Sequence, residues 1–211
     1  MRQSPGPPFP EREGPGANHR NNGAFSRHPD TNMTTPSADG RPHYASLDPD
    51  SLSNQCEFRT TRRSGPGGQN RNKVETAVIL THRPTGIVAE ASERRSQGEN
   101  RREALFRLRL KLALEIRSPT RADPNAPRQP SPRWRSRLRG GKIVVNPEHD
   151  DFPALLAEAL DVLEETGHDA KLAAEALECS STQFVKFLAA EPRALGQLNA
   201  RRAQAGLRPL R

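Results

Sequence analysis

A chain of 211 residues that is 32% hydrophobic, 4% aromatic and 27% charged, with 20 prolines, holds too little apolar material for one large core, so part of it must be linker or tail. Its formal net charge of +8 points to a polyanionic partner. No apolar run is long enough to cross a bilayer and the first residues carry no signal-peptide core, so a soluble protein without a membrane partner is expected.

Residues 1–50 are rich in Pro, Gly, Asn and Ser without an apolar period, and are expected to be a disordered N-terminal region. Met33 is a second candidate start within it. Glu11, Glu13 and Asp30 interrupt any presequence-like helix, which favours a cytoplasmic over a mitochondrial location.

The segment CEFRTTRRS (56–64) reads as a short strand with a wet face. A glycine-rich loop follows, and then the β-branched run Ala77–Leu80. RPTG (83–86) has the punctuation of a turn, and IVAEA (87–91) resumes extended structure, so the pair predicts a hairpin. After the polar ERRSQGEN, a helix is expected over about residues 99–117. Leu105, Leu108, Leu112 and Ile116 would line one face, with Phe106, Leu110 and Ala113 as a second apolar flank. The implied fold class is α+β: a small three-stranded sheet with a packed C-terminal helix, residues 51–117.

Residues 118–147, with Pro119 at their start, predict a basic Pro/Arg-rich linker containing Arg133, Arg135, Arg137, Arg139 and Lys142. Residues 148–206 predict a small all-α bundle of four helices. Pro153 and Gly167 bound the first, Ser180 and Gln183 have capping-box spacing at the start of the third, and Pro192 and Gly206 bound the fourth. Residues 207–211 are a basic C-terminal end. Net charge follows these borders: −1 for 1–55, +7 for 56–117, +6 for 118–147, −8 for 148–200 and +4 for 201–211. A basic first half and an acidic lobe suggest that a polyanion meets the former. Cys56 and Cys179 lack metal-ligand spacing and are read as reduced; the six histidines are scattered, and no metal or cofactor is expected.

The loop SGPGGQNRNK (64–73) is the part that composition alone does not explain. A phosphate-binding P-loop needs Gly-Lys-Ser/Thr where Gln69 and Asn70 stand, and a dinucleotide fingerprint needs a different glycine spacing. A bare Gly-Gly is most often a turn. Here, however, Gly67-Gly68-Gln69 sits between Ser64-Gly65-Pro66 and Asn72-Lys73, and resembles the GGQ loop of class I peptide-chain release factors. LTHRPTGIVAEA resembles that family's strand–PTG–strand hairpin, and ERRSQGENRREAL its segment leading into the last helix, in the same order along the chain. The resemblance covers about residues 56–117.

The resemblance implies ribosome-dependent hydrolysis of peptidyl-tRNA, with the ribosome, the rRNA of its peptidyl-transferase centre and peptidyl-tRNA as partners. Gly67 and Gly68 would let the loop thread between rRNA bases, and Gln69 would present its backbone N–H to the developing oxyanion. The rRNA and tRNA would complete the site, so no protein base is required. Gln69 is N5-methylated in relatives, which implies a glutamine methyltransferase as a further partner. Arg62, Arg63, Arg71, Lys73, Arg94 and Arg95, with Arg133, Arg135, Arg137 and Arg139, are the expected RNA-binding cations. Asn70 and Arg71 depart from the family's usual His-Val.

No decoding segment is recognisable before residue 56, so the sequence points to codon-independent rescue of stalled ribosomes, resembling alternative rescue factor B. That relative ends in a basic tail, whereas the strongest basic run here is internal. A non-hydrolytic rRNA-binding regulator that keeps the release-factor fold is the alternative. A helix-turn-helix resemblance at 173–188 offers only Gln183 and Lys186 in an acidic lobe, so DNA is not expected as a partner. Docking of this lobe on the preceding domain's helix, or on a basic ribosomal protein, is the preferred expectation for it.

Overall fold

The computed structural model describes residues 42–61, 76–118 and 129–211. Residues 1–41 of the expected N-terminal region lie outside them. Residues 42–50 do not follow the expectation of disorder. A 3₁₀ turn at Tyr44–Ser46 and a helix α1 at Pro49–Ser53 bury His43, Ala45 and Leu52. The segment is short and has no apolar period, so its order comes from partners far along the chain.

Three strands follow: β1 at Cys56–Thr61, β2 at Ala77–His82 and β3 at Val88–Ala91. They form one antiparallel sheet in the order β1-β2-β3, so the β-branched strand is central. Phe58 faces Leu80 across β1 and β2, and Leu80 faces Ala89 across β2 and β3. The β2–β3 turn closes where expected, with Gly86 at φ +72 and its N–H donating to the His82 carbonyl at 2.7 Å. A residue with a Cβ is strained at that angle.

Helix α2, Gln97–Glu115, covers one face of this sheet. Val78, Leu80, Ala89 and Ala91 from the strands are buried with Ala104, Leu108 and Leu112 from the helix. Of the expected stripe, Leu108, Leu112 and Ile116 are buried and Leu105 is half-buried. Ala113 and Leu114 are also buried, because helix α4, Phe152–Glu165, and the Tyr44–Ser46 turn pack on α2 as well. The apolar positions of α2 therefore serve two neighbours rather than one.

The stretch expected as an extended basic linker is folded where it is described. Ser131 caps a helix α3 at Pro132–Arg137, its hydroxyl accepting from Trp134 N–H at 3.1 Å. A two-residue hairpin follows, β4 at Leu138–Arg139 and β5 at Lys142–Ile143. Gly140 and Gly141 turn it at φ 55 and 72, the pair of positive angles that a type I′ turn requires. The chemical reason is Trp134. Its side chain is fully buried, its indole N–H donates to the Leu177 carbonyl at 2.9 Å, and its ring meets Phe187 edge-on at 5.4 Å. Glu158 of α4 accepts from both the N–H and the hydroxyl of Ser131, at 2.7 and 2.6 Å.

The remaining helices are α5 at Ala170–Ala176, α6 at Ser181–Ala189 and α7 at Pro192–Gln204. Their boundaries follow local signals. Gly167 and Gly206 take φ of 62 and 70 after α4 and α7, and the Ser180 hydroxyl accepts from Gln183 N–H at 3.3 Å. Between α5 and α6, Glu178 adopts φ 57 without being glycine. Phe152, Phe184, Leu155, Leu177 and Leu188 close the lobe's core around Trp134 and Phe187. The whole is α+β, a small sheet with its packed helix followed by a helical part.

Candidate functional site

Thr61, the last residue of β1, pairs directly with Ala77, the first of β2. The described residues on either side of 62–75 therefore meet at one rung of the sheet's ladder. Gly67, Gly68 and Gln69 lie outside the described residues, as do Arg62, Arg63, Arg71 and Lys73. What the structure describes is the stem that holds this loop's ends.

The stem's return side is fixed by Asn100, on the first turns of α2. Its side chain is fully buried. The amide nitrogen donates to the Thr76 carbonyl at 2.7 Å and to the Arg94 carbonyl at 3.0 Å, and the amide oxygen accepts from Arg94 N–H at 2.9 Å. Both donors are used, so the cost of burying a polar amide is offset by bonds. One side chain thus joins the residue that enters β2 to the turn carrying Arg94 and Arg95, both of them exposed. Asn100 stands within the quoted ERRSQGENRREAL motif but was not among the expected site residues. Its signal was a polar residue at a position of α2 one turn before the buried Ala104.

Other cations of α2 hold the sheet's edges. Arg101 lies over the half-exposed ring of Phe58 at 5.4 Å and donates to the Ser53 hydroxyl at 2.8 Å. Arg107 donates to the Glu90 carbonyl at 3.0 Å and Lys111 to that of Val88 at 2.6 Å. These carbonyls belong to the edge strand β3, so the two side chains occupy acceptors that another strand would otherwise seek.

The four arginines expected in the linker divide. Arg133 donates to the Ser46 carbonyl at 3.2 Å and pairs with Asp151 at 3.4 Å, and Arg137 donates its Nε to Asp151 at 3.1 Å. Burial alone would raise the Asp151 carboxyl, but the Arg137 hydrogen bond and the charges of Arg137 and Arg133 hold it below its ordinary range. Both arginines are therefore engaged in tying α3 to the start of α4 and to the Tyr44–Ser46 turn. Arg135 is exposed and meets Glu178 at 3.4 Å, a surface pair worth little. Arg139 is exposed beside the glycine turn with Lys142 as its cross-strand partner. Of the four, Arg135 and Arg139 are thus at the surface, and Arg133 and Arg137 are in use beneath.

Polar groups from distant segments finish the end of α2. The His43 ring accepts from Ala45 N–H at Nδ1, 2.9 Å, and donates from Nε2 to the Ile116 carbonyl, 3.1 Å. Arg117 donates to the Ala113, Leu114 and Ile116 carbonyls, and Gln197 of α7 donates to Leu114 at 3.3 Å. Ser118 N–H donates to the buried Asp161 of α4 at 3.1 Å. Among the described residues, no buried side-chain nitrogen or oxygen lacks a partner. None of their helices is long and apolar enough to cross a membrane.

The RF-1 domain family matches residues 50–139. Similar proteins include the chloroplastic peptide chain release factor PrfB1 of Arabidopsis thaliana, 58% identical over 54 residues that make up 26% of this chain and 12% of the relative. Peptide chain release factor 1 of Chloroherpeton thalassium is 55% identical over 56 residues, 26% of this chain and 16% of its own length. Peptide chain release factor 1 of Acidiphilium cryptum is 44% identical over 78 residues, 36% and 22% respectively. The chain thus spans less than a quarter of the length of these relatives. No solved structure matches it. The RF-1 match begins in α1 and runs through the sheet and α2 into α3 and β4, so it takes in residues 132–139, which the sequence had suggested as linker. Residues 50–139 are thus what this chain has in common with the RF-1 domain family.

Proposed function

We propose that the chain hydrolyses the ester of peptidyl-tRNA on the ribosome without reading a stop codon, in rescue of stalled ribosomes. The observation that carries this reading is the Gly67-Gly68-Gln69 sequence inside a segment matched by the RF-1 domain and by release factors. In this proposal the stem of β1 and β2 delivers the loop to the peptidyl-transferase centre. Gly67 and Gly68 avoid contact with rRNA bases through their lack of a Cβ. The Gln69 N–H donates to the oxyanion that forms as water attacks the ester carbon, and the tRNA ribose oxygen leaves with a proton. That donor is preorganised, so it stabilises the charge without reorganisation at the moment of reaction. Its side chain narrows the pocket to water. Arg94 and Arg95, with Arg62, Arg63, Arg71 and Lys73, supply phosphate contacts that orient the domain, and a glutamine methyltransferase is the proposed modifier of Gln69.

The RF-1 domain is joined here to an acidic helical lobe packed on its own helix α2, through Asp161, Gln197 and the core around Leu112.

Release of labelled peptide from ribosomes stalled on an mRNA without a stop codon tests the reading. Wild type should release peptide, and Gly68→Ala and Gln69→Pro should each lower the rate by about a hundredfold or more; the proline lacks the N–H. Ribosome binding without release by any of the three would favour a regulator that keeps the fold but not the reaction.

A further inference from the structure

From the three hydrogen bonds of Asn100, we infer that this residue is a positioning residue for the loop: it sets where the chain re-enters β2 and, through the same amide, where Arg94 and Arg95 stand beside it. This rests on the proposed function for its consequence in catalysis, but not for its geometry. Thr76 is the single residue between the loop and the first ladder pair, Thr61 with Ala77. Its carbonyl is held by Asn100 at 2.7 Å, from 24 residues away. Arg94 is held through both of its backbone polar groups, at 2.9 and 3.0 Å, which fixes the course of the chain on either side of its Cα as well as its place.

A side chain needed only to fill this space would be apolar. Burying an amide is costly unless every polar atom finds a partner. Here its bonds are spent on two segments, the one carrying the proposed phosphate-contacting cations and the end of the proposed catalytic loop. Both must keep register with one another, since a domain oriented through phosphates at Arg94 and Arg95 places Gln69 only as well as the stem is fixed relative to those cations. Asn100 is thus the link between orientation and chemistry.

Asn100→Ala removes all three bonds, and Asn100→Asp keeps the shape but replaces the donor by an acceptor facing two carbonyls. Trp134→Phe, which removes the indole bond to Leu177 in the lobe, serves as a control for lost stability. All would be studied as the full chain, well below their unfolding temperatures. Two readouts separate positioning from mere folding. In peptide release, both Asn100 variants should lower kcat by 10- to 100-fold while the ribosome concentration at half-maximal rate changes less than threefold, and Trp134→Phe should leave both within twofold. In amide hydrogen exchange, Asn100→Ala should speed exchange of Arg94 N–H and of residues 76–78 at least tenfold and leave α4 and α6 unchanged. A kcat within twofold of wild type in Asn100→Ala, with exchange altered, would overturn the link to chemistry. Unaltered exchange at Arg94 and Thr76 would overturn the inference altogether. If wild type itself releases no peptide, the proposed function fails, and the exchange readout still decides whether Asn100 holds the stem.

Discussion

His43 and His82 are both held neutral inside the core, and their partners say how. Each ring donates from Nε2, to the Ile116 carbonyl in one case and the Gln55 amide oxygen in the other, and accepts at Nδ1, from Ala45 N–H and from the Thr85 hydroxyl. At His43 the Ala45 N–H leaves no acceptor for a second proton on Nδ1, whereas the Thr85 hydroxyl beside His82 Nδ1 can donate or accept. Burial holds both rings down to about 4; for His43 the Ile116 bond works against this and the nearby Arg117 charge with it. The unfolded chain would protonate them near 6.5. Between these values the unfolded state binds more protons than the folded one, so stability is full above about pH 6.5 and is lost as pH falls towards 4. Denaturant unfolding should show a midpoint that declines across this window. A double replacement, His43→Gln with His82→Gln, should flatten the decline; an unchanged slope would assign it to carboxylates instead. At the same scale the sequence hid the role of Asn100, because one of its bonds reaches Thr76, 24 residues away, and a polar residue on the helix's inner face does not name its partner.

The elements divide along the same line. Those bounded by local chemistry were legible: Gly86 at the β2–β3 turn, Pro153 and Gly167 around α4, Ser180 before α6 and Gly206 after α7. Those held by distant partners were not. α3 and its hairpin read as linker because prolines and arginines dominate them, and what folds them is an indole bonded to Leu177 and a serine bonded to Glu158. The Tyr44–Ser46 turn is likewise held by Arg109 Nε at 3.1 Å from Ala45 O and by Arg133 on Ser46 O. Trp134 therefore carries a strong prediction for its element. Trp134→Ala should cost about 3–5 kcal/mol, in the range of other buried large-to-small replacements, and lower the thermal midpoint by many degrees. A loss below 1 kcal/mol would return α3 to the role of a linker. Gly141→Ala, by contrast, meets no atom within 4 Å and should cost only the strain of its positive φ, about 1 kcal/mol.

At the scale of the described molecule, α2 decides the architecture. It is the longest of the described helices, and its buried residues face the sheet through Leu108 and the lobe through Ala113 and Leu114. Its last carbonyls are taken by groups from both ends of the described chain, His43 on one side and Gln197 on the other. A lobe attached by a tether would unfold on its own and leave the sheet intact, whereas a lobe that shares α2's core takes the domain with it. Trp134 is the single tryptophan and packs from α3 against Leu177 and Phe187 of the lobe, so its fluorescence reports on that core, while exchange at Val78, Leu80 and Ala89 reports on the sheet. In a denaturant series the two should give one midpoint and one slope, as for a two-state unit. Replacing Asp161 by Ala removes the acceptor of Ser118 N–H, and it should move both signals together by about 1–3 kcal/mol. Separate midpoints, or a shift confined to the tryptophan, would show the lobe to be an independent attachment. The distinction matters for function, because only a lobe that unfolds with the RF-1 domain holds a fixed position relative to the stem that carries Gln69.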